Sequence, residues 1–271
     1  MLVRFRHAFA RVVVRLTQRA TGLTPINDHR ADDIFVVGFP KSGNTWVQYL
    51  LAGLLCGVDT TLCSDALLQE IVPDVHEYPS YRRCTQPMFF KSHHLPRPGY
   101  RRVIYLLRDG RDAMVSYFHH YNALFPGMDF ATLVRTAPGL LSRWHEHVEA
   151  WLANPYGAEL LVVKYEDLIN DPVAQLRRIC TFAGIEADES RLIHASEAAS
   201  FANMKQHEKR LGWDHSTWPK DKSFVRRGTV GSYRDEMPPE VLALFQAEAG
   251  ATLLKTGYRD QAVDSSPPAA T

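Results

Sequence analysis

Apolar residues fall along this chain in short unbroken runs, with longer amphipathic stretches between them. The runs are Ile34–Phe39 (IFVVGF), Met88–Phe90, Arg102–Leu107 (RVIYLL) and Leu160–Tyr165 (LLVVKY). Each is too short for a helix, so each predicts a strand, and Ile34–Phe39 predicts one buried on both faces. Thr45–Leu55, Asp109–Asn122, Leu141–Leu152 and Val173–Phe182 read instead as helices. Strands alternating with helices predict an α/β fold, a central parallel sheet flanked by helices and joined by right-handed crossovers. No internal repeat and no Pro/Gly-rich linker divides the middle of the chain, so a single domain is expected over residues 28–258.

Both ends depart from this pattern. No acidic residue occurs from Met1 to Asn27, whereas Arg4, Arg6, Arg11, Arg15 and Arg19 do. At about 100° per residue, Leu2, Phe5, Phe9, Val12, Val13 and Leu16 share one face and Arg4, Arg11 and Arg15 lie opposite. That predicts a basic amphipathic helix over residues 1–27. Two readings of it stay open: peripheral contact with an anionic membrane through residues 1–19, or packing of the apolar face on the domain. The arginines interrupt any continuous apolar core, which argues against a cleaved signal peptide. Residues 259–271 (RDQAVDSSPPAAT) are small, polar and proline-containing, and predict a disordered tail. No apolar stretch approaches the roughly 20 residues needed to span a bilayer.

Composition narrows the function classes. The 271 residues are 45% hydrophobic and 23% charged, as in ordinary globular proteins, and the net charge is +1. Nothing in that balance suits a nucleic-acid backbone as partner. Cys56, Cys63, Cys84 and Cys180 form no C-x-x-C pair and no zinc-ligand spacing, which predicts reduced thiols in a cytoplasmic protein and no metal site.

The chemistry begins at Phe35–Trp46, FVVGFPKSGNTW. A strand runs into a small-residue turn and then a helix, the context in which backbone N–H groups and the helix dipole bind an anion. The frame from Gly38 to Gly43 is that of a nucleoside-triphosphatase loop, but Asn44 stands where that loop has its lysine, and the lysine sits earlier, at Lys41. A small-molecule kinase on this scaffold predicts lysine at position 44 and an aspartate poised for Mg²⁺, and neither is evident. The loop therefore suits an anion carrying one phosphate plus a transferable group.

PKSGNTW resembles the 5′-phosphosulfate loop of the cytosolic-type sulfotransferases, whose usual form is P-K-S-G-T-T-W. The resemblance implies transfer of a sulfuryl group from 3′-phosphoadenosine 5′-phosphosulfate (PAPS) to a hydroxyl or amine, without metal. Lys41, Ser42, Gly43, Asn44, Thr45 and Trp46 then belong to the donor loop. LLRDGRDAMVSYFHHY resembles the 3′-phosphate segment and assigns that phosphate to Arg108 and Ser116. FVRRGTVGSYRD resembles the family's F-x-R-K-G-x-x-G loop, in which Arg226, Arg227 and Gly228 close over the same phosphate. KYEDLINDP supplies Tyr165 to the adenine, and Trp46 and Phe201 match the two aromatics that sandwich it. Asp167 and the Asp171-Pro172 turn read as helix caps. The resemblance runs in order from about Phe35 to Arg234.

FFKSHHLP resembles the family's K-T-H-L-P stretch, which carries the catalytic base. Counted from Lys91 the base is His93; counted back from Leu95-Pro96 it is His94. Successive side chains of an extended strand point opposite ways, and the count from Lys91 favours His93. Lys41 and Lys91 are the expected stabilisers of charge on the transferred group. A non-catalytic nucleotide-binding module tolerates loss of Lys41 or of both histidines, yet this chain retains them. His119–Arg143 and Glu186–Lys222 are the expected walls of the acceptor pocket, and their Tyr121, Phe125, Phe130, Trp213 and Trp218 suit a small or lipid-like amphiphilic acceptor. YRDEMPPEVL does not match the family's dimerisation pattern, so the sequence assigns no oligomeric state.

Overall fold

A computed structural model describes residues 22–213 and 218–258. The disordered tail expected over 259–271, and the part of the expected N-terminal helix that covers residues 1–21, lie outside them. Residues 22–27 are not helical. They contain β1 (Thr24–Pro25), which pairs antiparallel with β3 (Ser80–Tyr81) and shortens the expected helix at its C-terminal side. Between these two comes β2 (Ile34–Gly38); β4 (Phe89–Ser92), β5 (Arg102–Leu107) and β6 (Glu159–Lys164) follow. These four form the central sheet in the order β4-β2-β5-β6, every pair parallel. Ile34 stands opposite Phe89 on one side and Arg102 on the other. All five β2 residues are buried, as expected for a strand covered on both faces.

The alternation of side chains along the strands divides the core in two. Ile34, Val36, Ile104 and Leu106 face the helices Asn44–Cys56, Pro172–Ala183 and Glu189–Ala198 through Leu50, Leu54, Leu176 and Ile179. Phe35, Val37, Val103 and Tyr105 face the opposite layer, where Val115, Trp144, Val148, Trp151 and Phe245 pack. Phe245 comes from Pro239–Lys255, a helix outside the expected set. Its signal was present: a proline at the first helical position, then Val241, Phe245 and Ala249 buried at steps of one turn.

The predicted strands and helices hold to within a few residues. The helix expected from Leu141 starts at Trp144, because the Arg143 backbone N–H and the Glu146 carboxylate close its first turn at 2.8 Å. Tyr165 leaves its strand and becomes the first residue of the helix Tyr165–Asn170. The Asp171 carboxylate caps the next helix by accepting from the Ala174 N–H at 2.9 Å.

Strand order decides where the site lies. The chain leaves β2 for β4 on one side of it, then crosses to β5 on the other. In open parallel sheets such a reversal leaves a crevice at the C-terminal strand ends. The loop after β2, His93 after β4, Arg108 after β5 and Tyr165 after β6 all stand at that edge.

Candidate active site

The loop after β2 turns through two left-handed residues, Lys41 (φ 71) and Gly43 (φ 100). Position 43 takes only glycine, since a Cβ there would also lie 2.8 Å from the Tyr165 ring. The first N–H groups of a helix have no partner within it. Val47 N–H is the first here to find one, on the Gly43 carbonyl at 3.0 Å, and Gly43, Asn44, Thr45 and Trp46 line the cavity. Asn44 braces the loop, its amide 3.4 Å from the carbonyls of Val36 and Ser92. Ser42 is 2% exposed and, unlike its neighbours in the loop, does not line the cavity.

Cations converge on this loop. Arg108 donates from Nη1 to the Lys41 carbonyl at 2.9 Å, and its guanidinium lies 4.2 Å from the Tyr165 ring centre. Lys41 Nζ stands 4.2 Å over the Phe224 ring. Burial, reinforced by Lys91, Arg108 and Arg226, pushes the Lys41 ammonium down to about 7. Arg226 and Arg227 pair with Glu236 at 2.6 and 3.1 Å. Gly228, with φ +63, lies against Phe201, where a Cβ would meet the ring at 2.3 Å. Trp46 is held by its indole N–H on the Ala199 carbonyl at 2.8 Å. Arg111 is 2% exposed and locked to Asp109 at 2.7 Å, while Asp112 accepts from the N–H groups of Gly231 and Tyr233.

The two histidines diverge. His93 lines the cavity, and its Nδ1 is 2.7 Å from the Gly38 carbonyl. A carbonyl only accepts, so Nδ1 carries the proton and Nε2 keeps its lone pair. Burial, with Lys91 beside it, pushes the His93 imidazole down to about 3, so it is neutral at physiological pH. His94 turns to Tyr100, with Nδ1 2.9 Å from the phenol oxygen, and does not line the cavity. Trp151 and His147 hold the backbone there, bonding the carbonyls of His94 and His93 at 3.0 and 3.2 Å. Lys91 forms an ion pair with Asp74 at 3.0 Å. Asp74, and the neighbouring His76, were missed in the sequence, because nothing local marks a contact that forms across the sheet edge.

Beyond the reacting residues the cavity, about 540 Å³, widens among Tyr117, His120, Tyr121, Leu124, Phe125, Leu140, Trp213, Trp218 and Phe224. His120 stacks on Trp218 at 5.0 Å, and Trp213 on Phe224 at 3.9 Å. The expected walls need correction at two points. Phe130 stacks on Phe118 at 4.3 Å in the core rather than facing the cavity. Glu189–Ala198 packs on the helix Asn44–Cys56, so the stretch from Glu186 contributes chiefly Phe201, Met204, Trp213 and Trp218.

The residues fit a phosphorylated nucleotide on three observations. Asn44 Oδ1 and Arg108 Nε, buried atoms of residues that line the cavity, have no hydrogen-bond partner in the protein. Lys41, Lys91, Arg108, Arg226 and Arg227 line one cavity. Trp46, Tyr165 and Phe201 present rings to it. Among the described residues, no group of three or more His, Cys, Asp or Glu side chains is arranged to hold a metal ion, and no helix is long and apolar enough to cross a membrane.

Comparison with known proteins bears on the same residues. The family profile described as a sulfotransferase domain matches residues 31–257. Sulfotransferase 1C2 of Oryctolagus cuniculus is 29% identical over 238 residues, covering 76% of this chain and 78% of that protein. Sulfotransferase 1A1 of Bos taurus is 27% identical over 257 residues, covering 84% and 86%. The fold is similar to that of retinol dehydratase in complex with androsterone and the inactive cofactor PAP, with TM-score 0.63, 22% identity and 85% and 83% of the two chains covered. It is similar to the same degree to mouse sulfotransferase SULT7A1 complexed with PAP, with TM-score 0.63, 23% identity and 85% and 86% covered.

Proposed function

Because the chain belongs to the sulfotransferase domain family, and is thus an enzyme that transfers a sulfuryl group from PAPS, we propose the parts its residues play and the acceptor they select. The kinase and the non-catalytic module are set aside by that membership. The observation that carries the residue roles is convergence: segments after four parallel strands, His93 among them, and a fifth near the C-terminus meet at one cavity.

In this reading the loop amides and Thr45 hold the 5′-phosphate, while Arg108, Ser116, Arg226, Arg227 and Gly228 hold the 3′-phosphate. Trp46, Tyr165 and Phe201 enclose the adenine. When bound, the nucleotide supplies a sulfur atom that bonds to the acceptor oxygen as its bond to the 5′-phosphate oxygen breaks, the electron pair leaving on phosphate. His93 Nε2 receives the acceptor's hydroxyl proton, help worth about 10²–10⁴-fold. Its Nδ1–H on the Gly38 carbonyl keeps the imidazole in that tautomer. Lys41 and Lys91 offset the negative charge that builds during transfer.

The acceptor in this proposal is a small amphiphilic alcohol or phenol, its apolar body against Tyr121, Leu124, Phe125 and Trp218 and its hydroxyl towards His93. Support comes from the aromatic residues that line this part of the cavity. A cytoplasmic setting is supported by likeness to cytosolic sulfotransferase 1 of Danio rerio, 28% identical over 246 residues with 76% and 77% covered, and by four free cysteines. Residues 1–19 would bring the enzyme to anionic membranes, where each basic residue contributes about 1 kcal/mol. Co-sedimentation with anionic and neutral vesicles, comparing the full chain with one that begins at Asp28, tests this; full-length protein left in the supernatant at low salt rejects it.

Two assays test the main reading. Labelled PAPS offered with phenols, sterols and lipid extracts is expected to label an amphiphilic hydroxyl. Calorimetry in EDTA is expected to show PAP (3′-phosphoadenosine 5′-phosphate) binding far more tightly than adenosine 5′-phosphate, because each charge-assisted hydrogen bond to the 3′-phosphate contributes about 1.5–3 kcal/mol. Equal affinities overturn the assignment of Arg108, Ser116, Arg226 and Arg227.

A further inference from the structure

Asp74 and His76 line the cavity beside β4 from the segment that follows the helix Asp65–Ile71. The Asp74 side chain is 4% exposed, and one carboxylate oxygen is 3.0 Å from Lys91 Nζ. The other accepts from the His76 N–H at 2.9 Å. The two main chains run together here: Lys91 N–H donates to the Pro73 carbonyl at 2.9 Å, and Val75 N–H to the Lys91 carbonyl at 3.0 Å. His76 Nε2 in turn accepts from the His93 N–H at 2.9 Å, and the two rings stack with centres 5.7 Å apart. An N–H only donates, so this contact leaves Nε2 of His76 unprotonated. One buried carboxylate thus orients both the lysine and the imidazole that flank His93.

The charges around the site explain why it is needed. The cavity is lined by Lys41, Lys91, Arg108, Arg226 and Arg227, against which Asp74 and the exposed Glu77 are the acidic residues in the lining. A base among cations resists becoming a cation itself. We propose that Asp74 is a positioning residue for sulfuryl transfer: it fixes the Lys91 ammonium at the reacting centre and favours the imidazolium that forms when His93 takes the acceptor proton. The inference rests on His93 as the base.

The groups around His93 are Lys91 two residues before it, Asp74 and His76 from the segment alongside, and Lys41 in the same cavity lining; His147 bonds its backbone carbonyl. Burial is the largest influence against protonation of His93, followed by Lys91, while Asp74 and the Gly38 hydrogen bond work the other way. Removing the carboxylate therefore makes His93 a weaker base and moves its titration to lower pH.

The test is Asp74→Asn, with Asp74→Glu as the conservative control. For Asp74→Asn, kcat is expected to fall about tenfold or more, and by no more than the 10²–10⁴ that proton transfer contributes. PAP affinity should be retained, and the acid limb of the kcat/KM profile should move to lower pH. Asp74→Glu should restore both rate and limb in large part. An unchanged limb with a reduced rate, or parallel loss of PAP binding and of thermal stability, means a merely structural role and overturns the proposal, as does an unaffected rate. His93→Ala, run beside them, separates the two claims: if it stays active, His93 is not the base, whatever Asp74 does.

Discussion

His93 and His94 are neighbours with the same side chain, and their surroundings alone separate them. His93 has a carbonyl on Nδ1 and the cavity before it; His94 is turned to Tyr100 and Ser92. His93→Ala is expected to abolish transfer with PAP binding nearly intact, and His94→Ala to lose far less; reversed effects would make His94 the base. Lys41 makes a second prediction at this scale. Its ammonium, pushed down to about 7 by burial and then by neighbouring cations, is charged below that pH and loses the charge above it. A bound dianion draws the proton back, so PAP affinity should fall as pH rises from 7 towards 9 and binding should take up a proton in that range. Calorimetry in buffers of different ionisation enthalpy measures the uptake, and a pH-independent affinity would set the assignment aside. Of the residue-scale site, the motif residues were legible because their types and spacing are local. Asp74 was not, since its pairing with Lys91 is made only by a parallel contact between distant segments.

At the scale of elements, two glycines show opposite constraints. Gly228 carries φ +63 and abuts the Phe201 ring, so Gly228→Ala strains the backbone by about 1–3 kcal/mol and displaces the ring proposed to enclose the adenine. Its PAP affinity is expected to drop on the order of tenfold, since about 1.4 kcal/mol is a factor of ten. Gly250 lies within the helix Pro239–Lys255 with nothing within 4 Å of an added Cβ. Gly250→Ala is expected to stabilise by about 0.5–1 kcal/mol, read as a rise in Tm of a few degrees with activity unchanged. The inner strands were legible because burial on both faces leaves apolar runs, whereas β6, at the sheet edge, is buried only at Val163 and showed itself by β-branched and apolar residues ahead of Lys164. Short helices such as Phe130–Thr136 were not, because seven residues hold too few turns to show a period.

For the whole molecule, donor binding and folding are linked. A ligand at 100 times its Kd stabilises the native state by about 2.7 kcal/mol. PAP at that level in EDTA should therefore raise Tm by roughly 5–10 °C for a chain of this size. The 3′-dephosphorylated nucleotide at equal concentration should raise it much less. Thermal scans decide this, and an equal shift with both nucleotides argues against a 3′-phosphate site. The scale matters because the site belongs to no one segment: Lys41, His93, Arg108, Tyr165 and Phe201 come from separate elements and meet only in the folded chain.

By itself the amino-acid sequence determined the α/β class, the parallel strands and the family, since these follow from local runs and from motifs whose residues are contiguous. Tertiary structure alone decided which histidine faces the cavity and that Phe130 is core rather than wall. It also made Asn44 a brace between two strands and brought Asp74 to Lys91. The physical reason is the same in each case: a local pattern reports what a residue is and which face it shares. Which atoms it meets depends on the order of strands in the sheet, and β4-β2-β5-β6 is set by packing between segments far apart in the chain.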